Sequence, residues 1–289
     1  TNTSALDVNE IAEAGGRPAD VVGLHFFSPA HIMKLVEVVR AAKTSTEVLA
    51  TALALCKRIG KIGVVSGVCD GFIGNRMLGG YRREAELLVL EGASPQQVDR
   101  ALTGFGMAMG LNAVADLAGL DVAAASRQRR MKEGKLGDDP RLGAVPDRLV
   151  ALGRLGIKTG AGFYRYAEGS RTPEPDPLVA AIIAEEAKRL GVEQRQITDE
   201  EIVSRCILPL VNEGARILEE GIALGAADID VVWTNGYGFP RRLGGPMFYA
   251  EALGLDRVVE TMAGYAASLP MGEKYWTPAP LLARLAREG

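Results

Sequence analysis

"GLHFFSPAHIMKLVEVV", residues 23–39, decides how the N-terminal part of this chain is built. It reads as two strands rich in β-branched and aromatic residues, 20–27 and 32–39, turned about Ser28 and Pro29. The chain has 289 residues and 2 histidines, and both histidines, His25 and His31, stand in this stretch, followed by Glu37 among Val and Leu. In an antiparallel ribbon centred on residue 31, His25 and Glu37 face each other, with Cβ atoms roughly 5 Å apart. A carboxylate against one ring nitrogen fixes the imidazole tautomer and leaves the other nitrogen to take a proton. His31 has no such partner in this register and is expected at the surface. Plainer readings stay open here: a histidine in an apolar strand is commonly a hydrogen-bonded core residue, and Glu37 can be a strand residue facing solvent.

Around this ribbon the first 65 residues have α/β character. A short helix over 7–16 ends at Gly15 and Gly16, a helix capped by Thr44 and Glu47 runs to about Gly60, and "IGVVSG" reads as another strand. From Gly71 the pattern becomes helical. A long helix stops at Gly92; another starts with Ser94 as cap, Pro95 at its first position and Gln97 closing a capping box; Ala113–Arg130 reads as a third. "RTPEPDP", residues 171–177, is the linker expected from its three prolines. Helices follow over 177–190 and 198–222, the second opened by "TDEE" as a capping box.

The second half repeats the first. "NRMLGGYRREAELLVLEGAS" from 75 matches "SRCILPLVNEGARILEEGIA" from 204, with Arg76 and Arg205, and Gly92 and Gly221, each 129 positions apart. "GFGMAMGLNAVADLAGLD" is then echoed by "GYGFPRRLGGPMFYAEALGLD". Four features in register indicate duplication.

Composition narrows the function. A formal net charge of −3 without a dominant basic patch argues against nucleic acid, and no apolar run approaches the length of a membrane span. The 3 cysteines, Cys56, Cys69 and Cys206, are scattered, as free thiols in a reducing cytosol would be, and make neither a disulfide framework nor a metal site.

With "NTSAL", "DGFIGNRML", "DLAGLD", "GRLGIKTGAGFYRY", "ILEEG", "GYGFP" and "GGPMFYA", the opening stretch resembles the L-3-hydroxyacyl-CoA dehydrogenases of fatty-acid β-oxidation, within multifunctional enzymes of the α-subunit or peroxisomal bifunctional type. The twelve-residue spacing of His25 and Glu37 is the family's catalytic spacing. The resemblance implies a mixed fold. Residues 1–66 would be the C-terminal part of a Rossmann-type NAD-binding domain, and 67–170 and 171–289 two tandem all-α domains of the dehydrogenase C-terminal type. It implies NAD-dependent oxidation of (3S)-3-hydroxyacyl-CoA to 3-oxoacyl-CoA in the parent chain, an additional enoyl-CoA hydratase there, an acyl-CoA substrate, a thiolase partner and a cytoplasmic, bacterial-type location; the chain has no C-terminal peroxisomal tripeptide. His25 corresponds to the catalytic base, and Glu37 to its orienting carboxylate. Ser4 corresponds to a serine on the reacting hydroxyl and beside the nicotinamide, and Asn75 to an asparagine near the substrate's hydroxyl and carbonyl. A plainer role for Asn75 is a hydrogen bond at a helix start. Ser28 stands where the family often has a nicotinamide-contacting Asn, and "MGL" at 109–111 replaces an "MGP" turn that Gly245 and Pro246 keep in the second repeat.

A nucleotide site needs G-x-G-x-x-G between a strand and a helix. "GFGMAMG" and "GAGFYRY" have neither that spacing nor the preceding strand, so the NAD site is expected to be incomplete and the chain inactive by itself. Its repeats are expected to pack as an internal pseudo-dimer, leaving it monomeric. Two rival readings are a 2-hydroxy-acid-type dehydrogenase, which would more often use Lys as base, and a helical association module without catalysis.

Overall fold

The computed structural model describes residues 1–4, 6–134 and 137–289. Two compact units emerge, residues 1–80 with 207–289, and residues 81–206. The boundaries expected at 66 and 170 follow the repeat, whereas compactness divides the chain within its two long helices.

In the first unit, α1 (Val8–Ala14) precedes β1 (Gly23–Phe26) and β2 (Leu35–Val39), α2 (Thr46–Arg58) and β3 (Ile62–Ser66). The sheet order is β1-β2-β3, with β1 antiparallel and β2 parallel to β3. Both strands of the ribbon are shorter than expected: Ile32 is exposed, and β1 begins at Gly23, where a Cβ would meet that of Val39 at 2.8 Å. Every residue of β2 is buried. Val36 and Val38 pack on Ala52 and Cys56 of α2, while Val39 joins Val8, Ala41 and Phe72 in a separate cluster. A strand covered on both faces explains the unbroken apolar run interrupted only by Glu37.

The cap of α2 is Ser45, not Thr44. Thr44 Oγ1 instead accepts from the Ala41 amide and donates to the Val21 carbonyl, so it closes the turn before the helix. The long helix after β3 is α3 (Gly74–Leu90), which passes into the second unit.

The second unit continues with α4 (Pro95–Phe105), α5 (Leu111–Ala118), α6 (Leu120–Lys132), α7 (Ala144–Ala151) and α8 (Pro177–Leu190), then enters α9 (Asp199–Glu219). The single helix expected over 113–130 is broken at Gly119, whose φ of 97° stops α5 and opens α6. Ser94 and Thr198 do cap their helices, accepting from the Gln97 and Glu201 amides. Neither box closes, because Gln97 donates to the Ile197 carbonyl and Asp199, and the Glu201 carboxylate is taken by Arg195 and Arg205. Residues 171–177 are anchored rather than a free linker. Arg165 and Glu174 exchange backbone hydrogen bonds of 2.9 Å, and Asp176 caps α8 and pairs with Arg154 at 2.8 Å. "GAGFYRY" has a structural role here: the amides of Phe163 and Tyr164 and the Tyr166 hydroxyl all bond the buried Asp116 carboxylate.

The rest of α9 belongs to the first unit, with α10 (Ala226–Gly236), α11 (Pro246–Leu253), α12 (Leu255–Ser268), α13 (Gly272–Trp276) and α14 (Pro280–Glu288). Leu208 and Val211 of α9 share a core with Val258, Met262, Trp276 and Leu282.

The duplicated order is observed: α3 to α6 is matched by α9 to α12. Asp99 accepts from the first amides of α5, those of Asn112 and Ala113, and Asp230 from the first amides of α11, those of Met247 and Phe248. Gly254, with φ of 91°, stands between α11 and α12 as Gly119 does between α5 and α6. The "MGL" departure alters the entering backbone: Gly110 has φ of −72°, its counterpart Gly245 φ of 133°.

The long helices repeat their charges as well. In the first unit Arg76 holds Glu213 at 2.6 Å and Glu220 at 2.5 and 2.7 Å. In the second, Arg205 holds Glu84 at 3.0 Å and Glu91 at 2.5 and 2.9 Å. Arg76 and Arg205, Glu84 and Glu213, and Glu91 and Glu220 are all 129 positions apart. The three cysteines are free thiols, and among the described residues no helix is long and apolar enough to cross a membrane.

Candidate active site

His25 and Glu37 are direct partners in the β1–β2 register. Nδ1 of His25 lies 2.7 Å from Oε2 of Glu37, and both residues are buried, the glutamate completely. A buried carboxylate is costly unless hydrogen bonds replace its lost water. Here Oε1 accepts from the backbone amides of Ile73 at 3.1 Å and Gly74 at 2.9 Å, at the start of α3. The positive helix end therefore faces the carboxylate, and the Nδ1–H completes its set of donors. Nε2 of His25 makes no hydrogen bond to the described residues, so the ring presents a lone pair. This is the tautomer of a base rather than of a donor.

The turn entering α3 makes this possible. Phe72 adopts φ of 52°, an uncommon conformation for a bulky residue, and is fully buried with its ring 5.6 Å from that of His25. That local cost is offset by packing and by the two amides the turn delivers to Glu37. Phe27, 4.9 Å from His25, lies against the same imidazole.

Asn75 sits in the first turn of α3, half-buried, and its Oδ1 accepts from the Tyr237 hydroxyl at 2.8 Å. The Tyr237 ring stacks on Trp233 with centroids 4.6 Å apart and meets Phe27 edge-on at 5.5 Å. A contiguous run of contacts thus joins His25, Phe27, Tyr237 and Asn75. The first two come from the α/β segment, Asn75 from the start of the first repeat and Tyr237 from the second. Gly74 must lack a side chain, since a Cβ would lie 2.4 Å from the Tyr237 ring.

Ser4 and Ser28 are not tied to this group by any hydrogen bond. Both are exposed, Ser28 in the turn between β1 and β2. The segment holding Ser4 is nonetheless anchored beside β1, because the Thr1 carbonyl accepts from the Leu24 amide and Asn2 Oδ1 from the Phe26 amide. His31 is exposed, as its lack of a partner in the register implied. Sequence reading missed Phe27, Phe72, Gly74 and Tyr237. "GYGFP" marks the repeat and the family resemblance, and nothing in it points back to Asn75, 162 positions earlier.

These residues do not supply the phosphate cradle of a dinucleotide. The loop from β2 to α2 has no glycine. The loop from β3 to α3 carries Gly67 and Gly71, but the amides at the helix start that follows are already bonded to Glu37.

Comparison with known proteins gives the family of the chain. Residues 1–69 match the model for the 3-hydroxyacyl-CoA dehydrogenase NAD binding domain, and residues 71–166 and 202–289 both match the C-terminal domain model. The peroxisomal bifunctional enzyme of Danio rerio is 47% identical across the whole chain, which spans 42% of that protein. A fatty acid oxidation complex subunit alpha from a Shewanella strain is 37% identical, again over the whole chain and 40% of the relative. Among solved structures, the dehydrogenase part of multifunctional enzyme 1 from C. elegans covers 98% of the chain at 35% identity with a TM-score of 0.72, the chain matching 64% of that protein. The 3-hydroxybutyryl-CoA dehydrogenase of Escherichia coli covers all of it at 26% identity with a TM-score of 0.80, the match taking in 75% of the enzyme.

Proposed function

Because the chain belongs to the 3-hydroxyacyl-CoA dehydrogenase family, we propose that it carries the proton-transfer centre for NAD-dependent oxidation of (3S)-3-hydroxyacyl-CoA to 3-oxoacyl-CoA in fatty-acid β-oxidation. The observation behind this reading is the buried His25–Glu37 pair with Nε2 left open. Nε2 takes the proton of the 3-hydroxyl, and the Glu37 carboxylate stabilises the imidazolium that results. NAD is the hydride acceptor of the overall reaction. Among the described residues none forms a pyrophosphate cradle, and the part taken by this chain's own residues is the proton. Asn75 directs its amide at the oxygen that becomes the ketone, and Ser4 and Ser28 line the nicotinamide side when the nucleotide domain is complete.

We further propose that the longer protein also hydrates enoyl-CoA, works with a thiolase that cleaves the 3-oxoacyl product, and occupies the compartment of its type, the cytoplasm for the α-subunit kind or the peroxisome for the bifunctional kind. The domain division at 66 and 170 and the internal pseudo-dimer belong to the same reading.

The test is His25→Gln in the protein with its complete NAD-binding domain. General-base removal should lower kcat by at least about 10²-fold with little change in substrate binding. Near-normal turnover would remove His25 from the mechanism.

A further inference from the structure

We propose that Tyr237 is the positioning residue for Asn75: its hydroxyl fixes the orientation of that amide so that Nδ2 faces the substrate oxygen. The assignment rests on the functional reading above and goes beyond it, since it gives the second repeat a part in the chemistry.

A primary amide can present either its oxygen or its nitrogen to a ligand, and the two orientations fill nearly the same space. Something must choose between them if Asn75 is to act as a donor. The choice falls to the Tyr237 hydroxyl, which donates to Oδ1 at 2.8 Å and so turns Nδ2 away from the tyrosine. Nδ2 makes no hydrogen bond to the described residues. A tyrosine can hold an amide only if it is itself held. Tyr237 is stacked on Trp233 and set edge-on against Phe27, and the bare Gly74 lies under its ring. Trp233 is fixed in turn by burial and by an Nε1 contact of 3.2 Å to Met77 Sδ. Phe27 also touches the His25 ring, so the packing that holds the donor's orientation is continuous with that around the base.

The repeat provides an internal control. Gly236-Tyr237-Gly238 corresponds to Gly104-Phe105-Gly106 in the first half, and Asn75 corresponds to Ser204 in the second. An aromatic ring at this turn is therefore common to both copies, whereas the phenolic oxygen is present only in the copy whose tyrosine reaches Asn75. A ring kept for packing needs no hydroxyl, as Phe105 shows. The hydroxyl is the part that a role at the site explains.

The experiment is a double-mutant cycle in the full-length protein, with Tyr237→Phe, Asn75→Ala and the pair assayed on a 3-hydroxyacyl-CoA. Tyr237→Phe keeps the stacking and removes one neutral hydrogen bond, so kcat should fall about 3- to 10-fold, with the unfolding midpoint little changed. Asn75→Ala should cost more, and adding Tyr237→Phe to it should cost nothing further, because the hydroxyl acts only through the amide. Full turnover in Tyr237→Phe overturns the assignment. The same fold-loss with and without Asn75 also overturns it, since that is the mark of a packing role. A wild-type protein unable to oxidise the substrate refutes the functional reading and this assignment together, and the wild-type arm distinguishes that case from failure of the positioning role alone.

Discussion

Replacing Glu37 by Gln isolates the charge at the centre of the site, because the side chain keeps its length and most of its hydrogen-bonding capacity. In the wild type one carboxylate oxygen serves the Ile73 and Gly74 amides and the other faces Nδ1 of His25 at 2.7 Å. The glutamine oxygen is held by the two amides, so its NH₂ group must face the imidazole. Two donors cannot share that contact, and the ring responds by moving its proton to Nε2, the nitrogen that should take the substrate's proton. A hydrogen bond to a charged group contributes about 1.5–3 kcal/mol, which is roughly one to two decades of rate at 1.36 kcal/mol per decade. The inverted tautomer and the lost stabilisation of the imidazolium add to it, for a fall in kcat of about 10²–10⁴-fold, the range of general-base catalysis. KM should move little, since the substrate meets the far side of the ring. The assay is steady-state NADH formation by the full-length protein, with circular dichroism to confirm folding. A variant retaining kcat within about 3-fold of wild type would refute the claim that Glu37 sets the tautomer.

Three other expectations are open to measurement. Titration calorimetry of this 289-residue chain with NAD should show no binding in the micromolar range; a micromolar Kd would place the cofactor on residues other than a G-x-G-x-x-G loop. Arg205→Met takes the fully buried guanidinium from Glu84 and Glu91, leaving them to the more exposed Arg83 and Arg195, and should cost about 1–3 kcal/mol, lowering Tm by on the order of 5 °C, with Arg76→Met costing less because Glu220 is half-exposed; equal or negligible shifts would contradict the burial argument. Sedimentation equilibrium should report a monomer, and a tight homodimer would show that the repeats do not satisfy one another within one chain.

The pairing of His25 with Glu37 was legible because register follows from two strands and a symmetric bend, and because histidine is scarce enough here to attract scrutiny. The duplication was legible from evenly spaced glycines and charges. Helix ends were less so. Thr44 and Ser45 are both plausible caps, and only the Val21 carbonyl, 23 positions away in sequence, draws Thr44 out of that role. The break at Gly119 was hidden because a glycine within an apolar helical pattern has no local mark separating tolerance from interruption. Tyr237 was out of reach altogether: its partner is distant in sequence, and aromatic residues between glycines usually signal a turn. The capping boxes failed at Gln97 and Glu201 for one reason, that tertiary partners outcompeted the local hydrogen bond.

The two arginine clusters carry a consequence for how such a chain can change over time. Arg76 takes both of its carboxylates from the second repeat, and Arg205 takes Glu84 and Glu91 from the first. Each copy supplies part of its own neutralisation, Arg83 to Glu84 and Arg216 to Glu213, but Arg76 and Arg205 take their shortest contacts from the opposite copy. Duplicated segments are ordinarily free to drift, one copy retaining the ancestral role while the other decays, but these six positions are held in two interlocked sets. Loss of an acid in one copy deprives the arginine of the other of a counter-charge, so tolerated substitutions should arrive in matched pairs 114 to 144 residues apart. Each repeat is thereby kept in the chain as a source of counter-charge for the other.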